Sequence, residues 1–384
     1  PSQEPLTDAL LDDGVKDLGL FFDPVHGGFG EGPKFPTVPP LSLLLRHTCR
    51  TKDDAAQEKV LLQLRKMAAG GIYDHLGGGF HRYSVDGQWL IPHFEKMLYD
   101  NAQLVRIYLD GWRLTKEARF RQVVEETLDW MRRELSHADG AFFAAQDADS
   151  EGEEGRFFVW DPAEIHAVLG QELGETFCRA YGVTDSGNFE GKTVLNRLAD
   201  AGSSVEVLEQ MEVSLRPARK KLLSARERRV KPQRDENILT SWNALAVSAF
   251  LDAYQTFGTP WYLSSAEQAL TLLIDYAIAD GRVFRTVAGG SGRIAGYLDD
   301  YAYLAAALLD AFETTSHSWY LDQAQVVADS LLAQFWDEGV GGFFFTANDH
   351  EMLIHRMKSG TDSAMPSGNA VAVQVLIRLF SLTG

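Results

Sequence analysis

The sequence predicts an all-α chain of paired helices arranged as an α/α toroid. Three observations carry this. Apolar residues recur at helical spacing through most of the 384 residues, in consecutive helix pairs. The helices also alternate in character. Segments 236–257 and 297–315 are Ala- and Leu-rich around most of their circumference, as helices buried on most sides must be. Segments 53–69 and 117–135 carry more charge and read as an outer layer. Finally, small and aromatic turns follow the second helix of a pair: Gly27-Gly28-Phe29, Gly77-Gly78-Gly79-Phe80, Gly140-Ala141-Phe142-Phe143 and Gly341-Gly342-Phe343-Phe344. Inner helices that open on polar residues, preceded by such turns, would line a funnel.

In order, a first helix is expected over 5–22, with Leu6, Leu10, Leu11, Leu18 and Phe22 on one face and Asp23-Pro24 as its stop. The stretch from His26 to Pro36 is too rich in Gly and Pro for regular structure. Helices follow at about 39–50 and 53–69. Pro92 suits the first turn of the next helix, where its missing N–H costs nothing, and that helix runs to about Leu114. Another covers about 117–135. Residues 140–150 and 155–160 read as two short strands around the acidic turn Glu151-Gly152-Glu153-Glu154. Helices resume at about 162–169, 171–180, 203–224, 236–257, 260–279, 297–315 and 318–336. A last one begins near Pro366 and ends at Gly384. The pairs number slightly fewer than six, so 1–384 reads as one toroid domain truncated at both ends.

Composition narrows the function. The net charge of −18 disfavours nucleic acid and anionic membrane surfaces, which want clustered Lys and Arg. The one basic run, Arg226 to Arg234, is short and reads as a loop edge. Two distant cysteines, Cys49 and Cys178, make no disulfide framework, so a reducing, cytoplasmic setting is expected. No apolar run approaches the ~20 residues that span a bilayer. Three near-motifs fail on spacing or context. Gly187 to Thr193 is one residue short of a P-loop, and His350 to His355 places its histidines on different faces for a zinc helix. Gly77-Gly78-Gly79 lacks the surrounding strand–helix–strand pattern of a dinucleotide site. No metal or cofactor is expected.

The densest stretch is residues 70–104. His93, Lys96 and Asp100 fall at helical spacing on one face, with Glu95 and Tyr99 on a neighbouring stripe. They could be a solvated helix start or a first turn that presents a base, an acid and donors to a ligand. Phe80, Tyr83 and Trp89 favour the latter, since sugar rings stack on aromatics while their hydroxyls take charged partners. His81 and Arg82 follow three glycines that allow close backbone approach. Asp147 and Asp149 place two carboxylates on one side of an extended segment, for acid–base work, a turn cap or a calcium-like loop. Asp299-Asp300 and Asp235-Glu236 open inner helices as caps or funnel residues. His355-Arg356, Lys358 and the loop from Asp362 to Asn369 belong to the same rim.

Several stretches together resemble the spermatogenesis-associated, thioredoxin-domain-containing family: Gly77 to Tyr83, Pro92 to Asn101, Asp147-Ala148-Asp149-Ser150, Asp235-Glu236-Asn237 with Trp242-Asn243, and Pro366-Ser367-Gly368-Asn369. Gly28-Phe29-Gly30 and Pro33-Lys34-Phe35-Pro36 also fit. The resemblance spans essentially the whole chain. It implies a six-hairpin glycosidase-type (α/α)6 toroid, similar to N-acylglucosamine 2-epimerases and some glycoside hydrolases. The family's N-terminal thioredoxin-like domain is absent from this sequence. The resulting expectation is a carbohydrate-active protein that binds a small sugar in the toroid funnel, as an epimerase or isomerase or as a glycoside hydrolase. The alternative is a non-catalytic sugar- or peptide-binding module. An epimerase would use two bases such as His81 and His93. A hydrolase would pair Asp147 or Asp149 with Asp300 or Glu95. Candidate substrate contacts are Tyr73, Phe80, Arg82, Tyr83, Trp89, Lys96 and Tyr99, together with Asp235, Trp242, Asn243, His355 and Ser367.

Overall fold

The structure is a computed structural model and describes residues 7–200, 205–351 and 354–384. Leu6 of the expected first helix, residues 203–204 of the expected 203–224 helix, and Met352 and Leu353 of the near zinc motif lie outside the described residues. The chain packs as two compact units, 7–134 with 145–234, and 135–144 with 235–384.

The first unit holds α1 (Asp8–Phe21), α2 (Val38–Thr51), α3 (Asp54–Ala69), α4 (Leu98–Thr115), α5 (Ala118–Glu134), α6 (Pro162–Leu169), α7 (Gln171–Ala180) and α8 (Val205–Arg226). Hairpin pairs α2–α3, α4–α5 and α6–α7 pack against one another in sequence. Helix starts follow local chemistry. Asp53 accepts from the Ala55 and Ala56 N–H groups, and Asp161 forms a capping box with Glu164 ahead of Pro162. Helix α4 is buried from Leu98 to Val105 without a break, which no amphipathic surface helix would be.

The second unit holds α9 (Thr240–Phe257), α10 (Pro260–Leu272) continued by a π turn over Leu273–Ala277, α11 (Leu298–Thr315), α12 (Ser318–Phe335) and α13 (Gly368–Thr383). Helix α11 packs against α9, α12 and α13 and is buried along most of its length. One element was not expected. Strand Arg282–Ala288 pairs antiparallel with Ser291–Ala295, and also with Ile238–Leu239 and Ile278–Ala279. Among the described residues, no helix is long and apolar enough to cross a membrane.

The small-aromatic turns are one device used repeatedly. In three of them an aspartate closes the turn. The Asp23 N–H donates to the Gly28 carbonyl (2.8 Å), Asp74 to Gly79 (3.0 Å) and Asp337 to Gly342 (3.0 Å). Each carboxylate accepts from two N–H groups of its own turn: Val25 and His26, Leu76 and Gly77, Gly339 and Val340. A lysine from downstream then joins the carboxylate to a turn carbonyl. Lys34 holds Asp23 and Gly27, Lys96 holds Asp74 and Gly78, and Lys358 holds Asp337 and Gly341. In the fourth turn His137 stands where the aspartate would be, its N–H donating to the Ala141 carbonyl at 2.7 Å. An asparagine near the next helix start clamps the turn's phenylalanine. The Phe80, Phe142 and Phe343 N–H groups each donate at 2.7 Å to Asn101, Asn243 and Asn369, whose side-chain amides return a bond to the same residue's carbonyl.

This device moves one expected boundary. Residues 92–97 are extended, pairing Pro92–His93 with Tyr83–Ser84 and Lys96–Met97 with Ala145–Gln146, and α4 begins only at Leu98. His93, Lys96 and Asp100 therefore do not share a helix face. The downstream lysine must reach back to the preceding turn, which an extended lead-in allows. Around the acidic turn, Asp149–Ser150 pairs with Glu153–Glu154 instead of forming the longer strands expected.

Candidate functional site

The extended lead-in of the first unit alternates its side chains. Phe94 and Lys96 turn inward, while His93 and Glu95 stay at the surface. The Arg82 guanidinium pairs with Glu95 at 2.8 Å, and His93 Nδ1 lies 2.7 Å from a Glu154 carboxylate oxygen, with its Nε2 3.7 Å from Glu95. The same Glu154 oxygen accepts from the Phe94 N–H at 3.3 Å. Tyr83 stacks on the His93 ring at 5.1 Å and on Phe35 at 4.8 Å, making a three-ring column whose end, Phe35, is exposed. Arg82, His93, Glu95 and Tyr83 thus meet in one partly exposed cluster.

Behind it lie Tyr99 and Asp100, in the first turn of α4. Both are 7% exposed. Burial pushes the Tyr99 phenol up to about 12, against the pull of Arg82, to which it hydrogen-bonds. Burial likewise lifts the Asp100 carboxyl to about 8, with Glu95 adding to the rise and Arg82 and Tyr99 opposing it. At neutral pH the Asp100 carboxyl is therefore mostly protonated, and one of its oxygens has no hydrogen-bond partner in the fold. The neighbourhood joins a neutral carboxylic acid to a surface carboxylate, Glu95. In the sequence Asp100 stands in the His93, Lys96 and Asp100 stripe and in the stretch from Pro92 to Asn101, and the one signal of its burial is its place among the first residues of a helix too apolar to be exposed.

Other expected site residues are placed differently. His81 is 2% exposed, its Nδ1 2.8 Å from the Phe94 carbonyl and its ring edge-on to Phe94 and Phe158. Burial drops its pKa to about 3, so it is a neutral core histidine. Lys96 is wholly buried and belongs to the turn clamp with Asp74, which Arg226 also grips through two bonds of 2.8 and 2.9 Å. Tyr73, Phe80 and Trp89 fill the core; the Tyr73 hydroxyl donates to Glu126 and the Trp89 N–H to the His26 carbonyl. Asn243 is a turn clamp. Asp147 is exposed and accepts from its own Ala148 N–H at 2.6 Å, a local turn cap, and Asp149 beside it is exposed.

In the second unit, Asp300 is fully buried. Its carboxylate accepts from the Ser241 N–H at 3.2 Å and the Tyr297 N–H at 3.0 Å, and burial raises it to about 6. It is a helix cap that ties two inner helices. Ser367 caps α13 by accepting from Ala370, and exposed Asp235 accepts from Asn237. His355 is exposed and Trp242 half-buried. Of the expected residues, Arg82, Tyr83, His93, Glu95 and Tyr99 come together. Among the described residues, no cluster of His, Cys, Asp and Glu is arranged to hold a metal ion.

Human spermatogenesis-associated protein 20 is 35% identical over 410 residues, an alignment that covers 94% of this chain and 52% of that protein. Spermatogenesis-associated protein 20 proteins are thus strong homologues of this chain over the part that it matches. The Rattus norvegicus protein is also 35% identical at the same coverage, and an uncharacterized Caenorhabditis elegans protein is 32% identical over 402 residues. The chain spans about half the length of these relatives. No family model matches it. Among solved structures, a family 76 glycoside hydrolase from a bovine Bacteroides thetaiotaomicron strain superposes at TM-score 0.58 with 10% identity, covering 97% of this chain and 63% of that one. The family 76 α-mannanase BT2949 gives 0.56 at 12% identity (98% and 80%), and an unsaturated glucuronyl hydrolase specific for heparin gives 0.53 at 11% (90% and 75%). The fold is thus that of the (α/α)6, six-hairpin glycosidase-like toroids, on which sugar-processing enzymes are built.

Proposed function

We propose that this protein is a carbohydrate-active enzyme of the hydrolase type, acting through the Arg82–His93–Glu95 cluster with Asp100 behind it. The observation that carries the reading is the pairing of a buried, protonated carboxyl (Asp100) with a surface carboxylate (Glu95) beside an aromatic column. Two carboxyl groups in contrasting environments are the minimum for cleaving a glycosidic bond. Asp100 gives its proton to the leaving oxygen, and Glu95 assists addition of water at the sugar carbon. The Phe35–Tyr83–His93 column offers a face for the ring, and Arg82 offers donors for hydroxyls.

The epimerase version loses support, because it requires a second base and His81 is a buried neutral ring. A binding-only version draws support from the internal pairing of Arg82 with Glu95 and of His93 with Glu154, which leaves these charges already satisfied. A library of free sugars and aryl glycosides, screened for thermal shift and for turnover on wild type, Asp100→Asn and Glu95→Gln, separates these. Turnover lost by about 10²–10⁴-fold in either variant is expected. Stabilisation without turnover returns the binding module, and no response to any sugar removes the carbohydrate reading.

A further inference from the structure

The same unit carries a cavity of about 640 Å3 next to the cluster. Its walls include Glu154, Phe157, Phe189, Arg228 and Val230. We propose that this cavity is a neighbouring subsite for a further neutral sugar residue, so that the substrate is an oligosaccharide and not a single sugar. The inference rests on the carbohydrate reading above.

Three observations support it. Glu154 belongs to both places: one of its oxygens bonds His93 and the Phe94 N–H, while the side chain also lines the cavity. The two sites are therefore contiguous through one carboxylate, as adjacent subsites on one chain of sugars must be. The volume lies within the ~300–1,000 Å3 usual for small-molecule sites and exceeds what one pyranose ring fills. The lining is also amphipathic in the way a pyranose is. Phe189, half-buried and edge-on to Phe94 at 5.3 Å, and Val230, 56% exposed, offer apolar surface to ring C–H groups.

Charge selects the class. The lining holds five glutamates (Glu151, Glu153, Glu154, Glu164, Glu190) against four cations (Arg156, Lys192, Arg228, Arg229). Three of the cations are tied down. Arg156 pairs with Glu151 and Glu153, Lys192 with Glu164, and Arg229 donates to the Phe157 and Val159 carbonyls. The lining as a whole carries no net positive charge that would select a phosphate or a uronate over a neutral sugar. Among the described residues, the exposed Arg228 and Glu190 side chains make no hydrogen bond or ion pair, which leaves a donor and an acceptor for hydroxyl groups.

Calorimetric titration of the protein with gluco- and manno-oligosaccharides of one to four residues tests this. A disaccharide containing glucuronate serves as the anionic comparison. Wild type, Phe189→Ala and Arg228→Ala are compared. Wild type is expected to gain at least about tenfold in affinity from one residue to two or more. Both variants should lose that gain while binding the monosaccharide as wild type does. Monosaccharide binding with no gain on lengthening overturns the subsite alone, as does tighter binding of the glucuronate sugar. Absence of binding by every sugar overturns the subsite and the carbohydrate reading together.

Discussion

Asp100 and His81 sit in the same stretch and are both buried, yet burial acts on them in opposite ways. Burial disfavours the charged form of each, so the carboxyl is pushed up to about 8 and the imidazole down to about 3. One becomes a proton donor at neutral pH, the other an inert ring. For Asp100 the folded value lies above the ordinary 3.8, so the native state holds the proton more tightly. Its contribution to stability is present below about 4 and is lost as pH rises towards 8. Asp100→Asn should remove that loss: urea melts should show the variant gaining on wild type between pH 5 and pH 9, by about 1–3 kcal/mol at the upper end. Wild-type turnover should fall as pH rises through about 8, where the acid is lost. The histidines run the other way. His75 and His81 both titrate below the ordinary 6.5, so their contribution is present above it and is lost as pH falls through their lowered values, about 3 for His81. Between pH 7 and pH 4 His81→Gln, although less stable overall, should therefore lose stability relative to its own pH 7 value less than wild type does in urea melts.

At the scale of elements, the unit of construction is the turn that precedes an inner helix. The aspartate orders the turn, the lysine ties it to the strand that follows, and the asparagine pins its phenylalanine to the helix start. Conformation matters as much as bonding. Gly78 and Gly79 hold positive φ, and a Cβ at Gly79 would meet the Trp130 ring at 2.8 Å. The same clamp has different energetic weight at different depths. Lys96 and Asp74 are buried, whereas Lys358 and Asp337 are partly exposed. Lys96→Met should cost about 3 kcal/mol in a denaturant melt, since Arg226 still holds the buried carboxylate. Lys358→Met should lose less. Equal losses would show that depth does not set the worth of the clamp.

Across the whole molecule, the compact units are not continuous in sequence. Residues 135–144 belong with 235–384, although ninety residues of the other unit lie between them in the chain. Their attachment is specific: Asn243 bonds both the N–H and the carbonyl of Phe142, whose ring stacks on Phe250 at 5.2 Å. A fragment of 235–384 alone leaves these partners open. Joining 135–144 ahead of it through a Gly/Ser linker should raise its melting temperature by about 4–8 °C, the effect of roughly 2 kcal/mol of restored contacts. No gain in a thermal scan would mean that the segment is not part of that unit's core.

The sequence by itself determined the helices, since their periodicity and their alternation between apolar and charged types are local properties. Nearly every helix expected from spacing is present within a few residues. It also determined the repeated turns, because Gly and Phe at fixed places state a backbone requirement. The resemblance in its motifs pointed to the proteins that are its strong homologues. What the sequence could not determine was which polar residues face outward. His81, Lys96 and Asn243 look as functional on paper as His93, Arg82 and Glu95. Their difference is depth, which depends on long-range partners such as Arg226 for Asp74 and Phe158 for His81. The hairpin at 282–295 was missed for a related reason: its strands are specified by pairing with each other and with Ile238–Leu239. Asp100 was decided by tertiary structure alone, because only burial among groups distant in the chain turns an ordinary carboxylate into an acid at neutral pH.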